Sequence, residues 1–450
     1  MPYPAVCRRI GARRLAASCA VFLALAAPAV LGGCATNRVA TAPAPLQVGP
    51  AATAAPQAIE PAAPATPTPP TGDQVRVALL LPLSGPSAGI GRAMLDAAQI
   101  ALFDIADDHF VLLPRDTLGT PEGAARAATA TLADGAELIL GPLLAGEVEA
   151  VKPLAHQAGV SIVAFSTADQ LAGDGTFLLS FPPRQSVNRI VAYAHERGAT
   201  RFAALAPGTP YGQLVVDALR NAATAVGATV VQAETYDPSA TDFRPVVRRL
   251  ASFDERRVAL GRTRQQLQAA GDEASRQALQ RLAGRETAGD LAFDAVLLPD
   301  GGAQLKAVAS LLPYYDIDPG KVHFLGTGLW DEPGLGTEPA LVGGWFAAPP
   351  PAARGDFERR FRELYNQAPP RLATLGYDAT ALAAILGRKP RGSAFTPASL
   401  TDPSGFAGID GIFRFRPDGI VERGLAVLEI ERTGSKIVSP APETFEQPAS

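Results

Sequence analysis

The sequence predicts an α/β protein whose parallel, doubly wound sheets divide between two lobes. Three observations predict it. Short, near-continuous apolar runs recur along the chain, beginning with Val75 to Leu81 and returning at 110–113, 137–140, 161–165, 202–205, 229–231, 295–298 and 322–325. Such runs suit strands buried on both faces of a parallel sheet. Alanine-rich segments with helical periodicity lie between them, at 92–106, 121–134, 146–158, 186–197 and 213–226. Strands alternating with helices of this length make βαβ units. Finally, the strands are too many for one comfortable sheet, which points to two lobes.

The alternation stops at 253–291, a stretch rich in Arg, Gln, Ala and Glu without a strand signal. It reads as an inserted helical excursion, a hairpin broken at Gly261 or Gly271, with a solvated face or a binding arm as its two possible uses. Near the end, 411–415, Pro417-Asp418-Gly419 and 421–430 read as strand, turn and strand. Residues 436–450 read as a loose tail.

Ahead of the α/β region, Arg8, Arg9, Arg13 and Arg14 precede an uncharged apolar run from Leu15 to Leu31. That is the pattern of a secretory leader, not a membrane span. The ending Leu31-Gly32-Gly33-Cys34 resembles a bacterial lipoprotein signal, which implies lipidation at Cys34 and, with Ala35 next, delivery to the periplasmic face of the outer membrane. Residues 34–72 are dominated by Ala, Pro and Thr and cannot bury a core, so they should form a semi-stiff disordered tether. Its reach would be on the order of 100 Å if extended and about 35 Å as a coil.

All three cysteines, Cys7, Cys19 and Cys34, lie in the leader or at the lipid site. The α/β region therefore has no thiol for disulfides, nucleophilic catalysis or a Cys-type zinc site. The chain carries 40 basic and 44 acidic residues; removal of the leader's four arginines leaves a net charge near −8. That balance excludes nucleic acid as the expected partner.

Few motifs carry chemistry. Gly85-Pro86-Ser87-Ala88-Gly89 matches G-x-S-x-G after a strand and before a helix. It follows the first strand, however, and Pro86 offers no N–H. A partner histidine would have to be His323 or His195, so the hydrolase reading is the weakest. No cofactor or metal is expected: the dinucleotide fingerprint is incomplete after Gly91, and no phosphate loop or metal spacing occurs. The remaining candidates sit at predicted strand ends, where ligands of open α/β sheets gather. They are Ser84 and Gly85 after the first strand, Leu143 after the third, and Ser166 and Thr167 after the fourth. Tyr211 opens a helix, and Trp330 and Asp331 follow a later strand. The hydroxyls and amides could hold a carboxylate, Tyr211 and Trp330 could wall a cleft, and Asp331 could meet an ammonium. Turn chemistry and helix capping explain the same residue types, equally well at Ser166 and Thr167, and for Trp330 core packing is the favoured alternative.

The run Val77-Ala78-Leu79-Leu80-Leu81-Pro82-Leu83-Ser84-Gly85, the pair Gly91-Arg92, the loop Gly141-Pro142-Leu143-Leu144 and the turn Pro210-Tyr211-Gly212 resemble type I periplasmic binding proteins. Within these, the chain is most similar to the penicillin-binding-protein activator lipoproteins. The resemblance spans about 74–432. It implies two Rossmann-like lobes around a central cleft: 73–183 with 347–416, and 184–346 with 417–435. The crossings would lie near Pro182, 346–349 and Pro417.

The resemblance further implies a non-enzymatic, outer-membrane-anchored lipoprotein that activates a bifunctional penicillin-binding protein, a peptidoglycan synthase, by contact. The apolar Leu143-Leu144-Ala145 loop, where amino-acid binders place hydroxyls, favours this. The alternative is a solute-binding lipoprotein delivering an amino acid or amide to an ABC transporter, with a small amino-acid-like ligand in the cleft.

Overall fold

The computed structural model describes residues 74–445. The leader, Cys34, the tether and the last five residues of the expected tail lie outside the described residues.

The first sheet is ordered β2-β1-β3-β4-β5 and is parallel throughout. Its strands and helices run β1 (Val75–Leu81), α1 (Ala88–Ile105), β2 (Phe110–Asp116), α2 (Pro121–Ala133), β3 (Leu138–Leu140), α3 (Ala145–Ala158), β4 (Ser161–Ala164) and β5 (Thr176–Leu178). Alternate residues of β1 explain why both faces are apolar. Val77, Leu79 and Leu81 pack with α1, whereas Ala78 and Leu80 pack with α2 and α3. Glycine sets how closely α1 can start against the sheet: a Cβ on Gly91 would stand 2.1 Å from the Pro82 carbonyl oxygen. We call this sheet and its helices lobe 1.

The second sheet is ordered β15-β14-β10-β9-β8-β6-β7. It is built from α4 (Pro183–Glu196), β6 (Arg201–Pro207), α5 (Pro210–Ala225), β7 (Thr229–Tyr236), α6 (Arg244–Leu250), α7 (Phe253–Ala270), α8 (Glu273–Arg281), β8 (Ala295–Leu297), α9 (Gly302–Leu311), β9 (His323–Gly326) and β10 (Trp345–Ala348). We call this lobe 2. One face packs on α4 and α5, and the other on α6 and α9. The excursion is a helical hairpin, α7 and α8, broken at Gly271 with φ +66°. Its base is fastened, since Phe253 packs edge-on against Tyr315 at 5.3 Å and Arg256 meets Asp316 at 3.3 Å.

The chain then returns to lobe 1 as α10 (Pro351–Tyr365), α11 (Ala373–Leu386), α12 (Pro397–Leu400), β11 (Phe406–Gly408), β12 (Gly411–Phe415) and β13 (Val421–Arg423). Helices α10 and α11 bury Phe357, Phe361 and Ala373 against Ala93, Ala97 and Ile100 of α1. It ends in lobe 2 with β14 (Ala426–Glu431) and β15 (Gly434–Ser439), antiparallel to each other, with β14 antiparallel to β10.

Four boundaries differ from the sequence reading. Ala347 and Ala348, assigned to lobe 1, are strand residues of the second sheet, paired with Val427 and Ala426. Residues 417–423, assigned to lobe 2, stay with lobe 1 because β13 pairs with β12. The single strand expected over 421–430 is therefore two strands in different sheets, separated at Gly424. Residues 436–439, expected in the tail, are held by main-chain pairing to β14. The three crossings consequently fall at Leu179–Pro182, Pro349–Pro350 and Gly424–Leu425.

Candidate functional site

Parallel sheets direct the C-terminal ends of their strands, and the N-termini of the following helices, to one edge. In lobe 1 this edge carries the loop after β1. Leu83 N and Ser84 N donate to Asp116 Oδ1 at 2.9 and 3.3 Å, and Leu118 N donates at 2.8 Å. Burial acts to raise the Asp116 carboxyl, but these bonds and one from the Ser84 side chain outweigh it and hold it below the usual range. Gly85 is exposed, with φ +77°.

Leu143 does not line an open cleft. It is 9 % exposed and packs into the lobe 1 core. The neighbouring Leu144 N donates to Glu147 Oε2 at 3.1 Å, the reciprocal arm of a helix cap. Ser166 is buried and its hydroxyl accepts from Ala168 N at 3.2 Å, whereas Thr167 is exposed. Ser166 is therefore already employed in its own turn, and Thr167 is the freer hydroxyl.

In lobe 2, Thr209 caps α5 through a bond from Gly212 N to its hydroxyl (3.1 Å), which sets Tyr211 at the edge. The Tyr211 hydroxyl lies 2.9 Å from Thr327 Oγ1 in the loop after β9. Burial raises the Tyr211 phenol, with the Thr327 bond acting the other way. The Tyr236 hydroxyl donates to Asp300, whose other oxygen accepts from Gly301 N at 2.8 Å. Burial, then Asp300, push the Tyr236 phenol strongly upward, so it stays protonated and donating. Leu329 stands 46 % exposed beside them.

Trp330 takes the packing role favoured for it, and Asp331 departs from the sequence reading. Trp330 does not wall a cleft: it is 1 % exposed, and its indole N–H donates to Leu298 O at 3.0 Å. Asp331 is not free to meet an ammonium. Arg354 of α10 binds both its oxygens, one Nη at 2.8 Å, and Arg371 approaches at 3.5 Å. Asp116, Tyr236 and Asp300 were missed: Asp116 and Tyr236 end β2 and β7, which run beyond the predicted 110–113 and 229–231, and Asp300 lies just past the predicted 295–298. Correct strand ends would have pointed to them.

Ser87 is the N-cap of α1 in lobe 1 and makes no capping bond. The two histidines considered as its partners are engaged in lobe 2. His323 stacks on Trp345 at 4.3 Å, and His195 Nδ1 lies 3.1 Å from Ala199 O. Among the described residues, no group of three or more His, Cys, Asp or Glu is placed to hold a metal ion, and no helix is long and apolar enough to cross a membrane.

Two sheets of βαβ units, each with polar loops at its strand ends, are thus joined by three crossings. The family model described as periplasmic binding protein matches residues 74–435. The chain belongs to the periplasmic binding protein family. Among curated proteins, the Leu/Ile/Val-binding protein BraC3 of Rhizobium johnstonii is 27 % identical over 189 residues, covering 40 % of this chain and 52 % of that one. The chain spans about half the length of the curated relatives it matches.

Among solved structures, a putative branched-chain amino acid ABC transporter protein of Rhodospirillum rubrum superposes with TM-score 0.65 at 18 % identity, covering 81 % of this chain and 100 % of that one. A solute binding protein of an ABC transporter from R. palustris, in complex with 4-hydroxybenzoate, gives TM-score 0.55 at 17 % identity, covering 83 % and 97 %. These likenesses establish the fold: an α/β protein dominated by parallel sheets. Membership in this family points to the periplasm, and the R. palustris neighbour is itself a solute binding protein.

Proposed function

We propose that the chain is the solute receptor of an ABC importer, binding a small organic carboxylate between the strand ends of its two lobes. What supports this is the chemistry of the loops at the strand ends of the two sheets. Lobe 1 offers Ser84, Thr167 and backbone amides, and lobe 2 offers Tyr211, Thr327, Asp300 and the exposed Leu329. Amides and hydroxyls suit a carboxylate, and the leucine and tyrosine suit an apolar body. The relatives' own ligands, branched-chain amino acids and 4-hydroxybenzoate, share that chemistry. With Asp331 held by two arginines, an amino-acid ammonium would have to use Asp300. An acid lacking an amine needs no such partner.

The test is thermal unfolding of the protein with isoleucine and with 4-hydroxybenzoate. A receptor gains stability with ligand concentration as RT ln(1 + [L]/Kd), about 2.7 kcal/mol at a hundredfold excess over Kd. A midpoint unmoved by a broad panel of amino and aromatic acids counts against the reading.

A second reading, contact activation of a bifunctional penicillin-binding protein by a form lipidated at Cys34 on the outer membrane, draws on one observation. The α7–α8 hairpin stands largely exposed, with Val258 54 % accessible, and no ligand-binding role explains it. Capture of a peptidoglycan synthase from solubilised envelope, followed by a polymerisation assay, tests it.

A further inference from the structure

Asp331 belongs to lobe 2, yet both of its cationic partners belong to lobe 1. Arg354 sits on α10 and Arg371 just ahead of α11, the helices that pack on α1. The pair is nearly dry, with side-chain exposures of 7 % for Asp331 and 13 % for Arg354. A bidentate arginine–carboxylate contact of this kind fixes both distance and orientation. We propose that Asp331 with Arg354 and Arg371 is an interlobe latch that holds the two lobes at the angle seen here.

Two further features make the contact a switch and not mere packing. Each arginine has a second carboxylate to keep if Asp331 leaves: Arg354 Nε lies 3.4 Å from Glu358, and Arg371 Nη2 lies 2.8 Å from Asp410. Release therefore strands no guanidinium without a partner, which is the usual penalty for breaking a buried ion pair. Beside the latch, a cavity of about 580 Å³ between Pro333, Arg354, Glu358, Arg362 and Pro369 gives the side chains room to swing and water room to enter. The arrangement thus has two states in which both guanidiniums keep a carboxylate, with Asp331 turned to water in the second.

The latch is also tied at both ends. On the cleft side, Trp330 is clamped next to Asp331, its ring so close that a Cβ on Gly326 would stand 2.0 Å from it. That same loop carries Thr327, bonded to Tyr211. On the hinge side, Arg371 packs over Phe181 at 4.1 Å, and Phe181 also receives Arg423 at 4.6 Å. Arg423 Nε donates to Ser180 O at 2.6 Å, so residues at the first and third crossings meet there. Movement of the Thr327 loop is transmitted to the crossings through these contacts.

The experiment measures lobe separation without any ligand, so its failure would not bear on the solute-receptor reading. Spin labels are placed at Glu122→Cys on α2 and Gln213→Cys on α5, both exposed, in the full chain with Cys7, Cys19 and Cys34 changed to Ala. Pulsed dipolar spectroscopy of the parent should give one main distance. Asp331→Asn and Arg354→Gln, each checked by circular dichroism, should each add a second population at a different separation. Glu358→Gln should keep the parent distribution. The parent distribution in both folded latch variants, or an equal change in Glu358→Gln, would overturn the latch. If one latch variant fails to fold, the other decides.

Discussion

The Tyr211 hydroxyl, on the first turn of α5, lies 2.9 Å from Thr327 Oγ1, and so joins the loops that end β6 and β9 at the lobe 2 edge. Neither group is saturated by the other. The phenol can donate or accept, and the threonine hydroxyl also accepts from Leu329 N at 3.4 Å. The pair is therefore an oriented polar point beside an exposed leucine.

Tyr211→Phe should weaken solute binding by about two- to thirteenfold, the range expected for one lost hydrogen bond of about 0.5–1.5 kcal/mol. The thermal midpoint of the free protein should move little, because the ring and its packing remain. Calorimetric titration of wild type and variant with the same acid measures this.

Trp330 should behave as core, not as a ligand contact. Trp330→Ala should cost about 3–5 kcal/mol in denaturant unfolding, as large aromatic truncations do. Trp330→Phe keeps the ring volume partly filled and should lose less, while solute affinity stays within a small factor of wild type.

Asp378 supplies a pH test. It is buried on α11, and burial first, then the nearby Asp410, raise its carboxyl to about 7, against an ordinary value of 3.8. Between those values the folded protein keeps a proton that the unfolded chain releases. Its contribution to stability is full below 3.8, declines as pH rises and is lost once pH passes about 7. Asp378→Asn should mimic the protonated form and flatten that decline. Urea unfolding at mildly acid and mildly alkaline pH should show the variant gaining on wild type as pH rises.

Removal of the whole excursion, 253–291, would take Phe253 out of the lobe 2 core and with it the buried Leu260. A trimmed deletion from Gly261 to Gly284, closing the hairpin short of its buried base, should fold with a near-native midpoint. It should bind solute as wild type does. Under the activator reading the same deletion abolishes stimulation of the synthase, and stimulation at wild-type strength would exclude the hairpin as its contact surface.

Much of the fold is legible in the sequence because its signals are local. Val75–Leu81 is apolar on both faces, and only a strand between two helical layers requires that. The break at Gly271 is equally local. By contrast, β5 is three residues long and takes its identity from pairing with β4. The split at Gly424 depends on Ile412, whose side chain would stand 2.7 Å from an added Cβ.

The site was legible only as a place. Strand-end reasoning put Ser84, Thr167 and Tyr211 forward as candidates, but residue type could not show that Asp331 is spent on Arg354 and Arg371, which approach from another lobe. Trp330 likewise stood between cleft wall and core, because an aromatic after a strand reads the same whether it turns outward or into the core.

The central claim is that the strand-end cleft receives a small carboxylate, and native mass spectrometry of the protein purified without denaturation tests it most directly. The account predicts a bound species of one small-acid mass, lost on unfolding and restored when that acid is added back to the refolded chain. A protein that carries no small molecule, regains none from amino or aromatic acids, and instead recovers a peptidoglycan synthase from the envelope would contradict it.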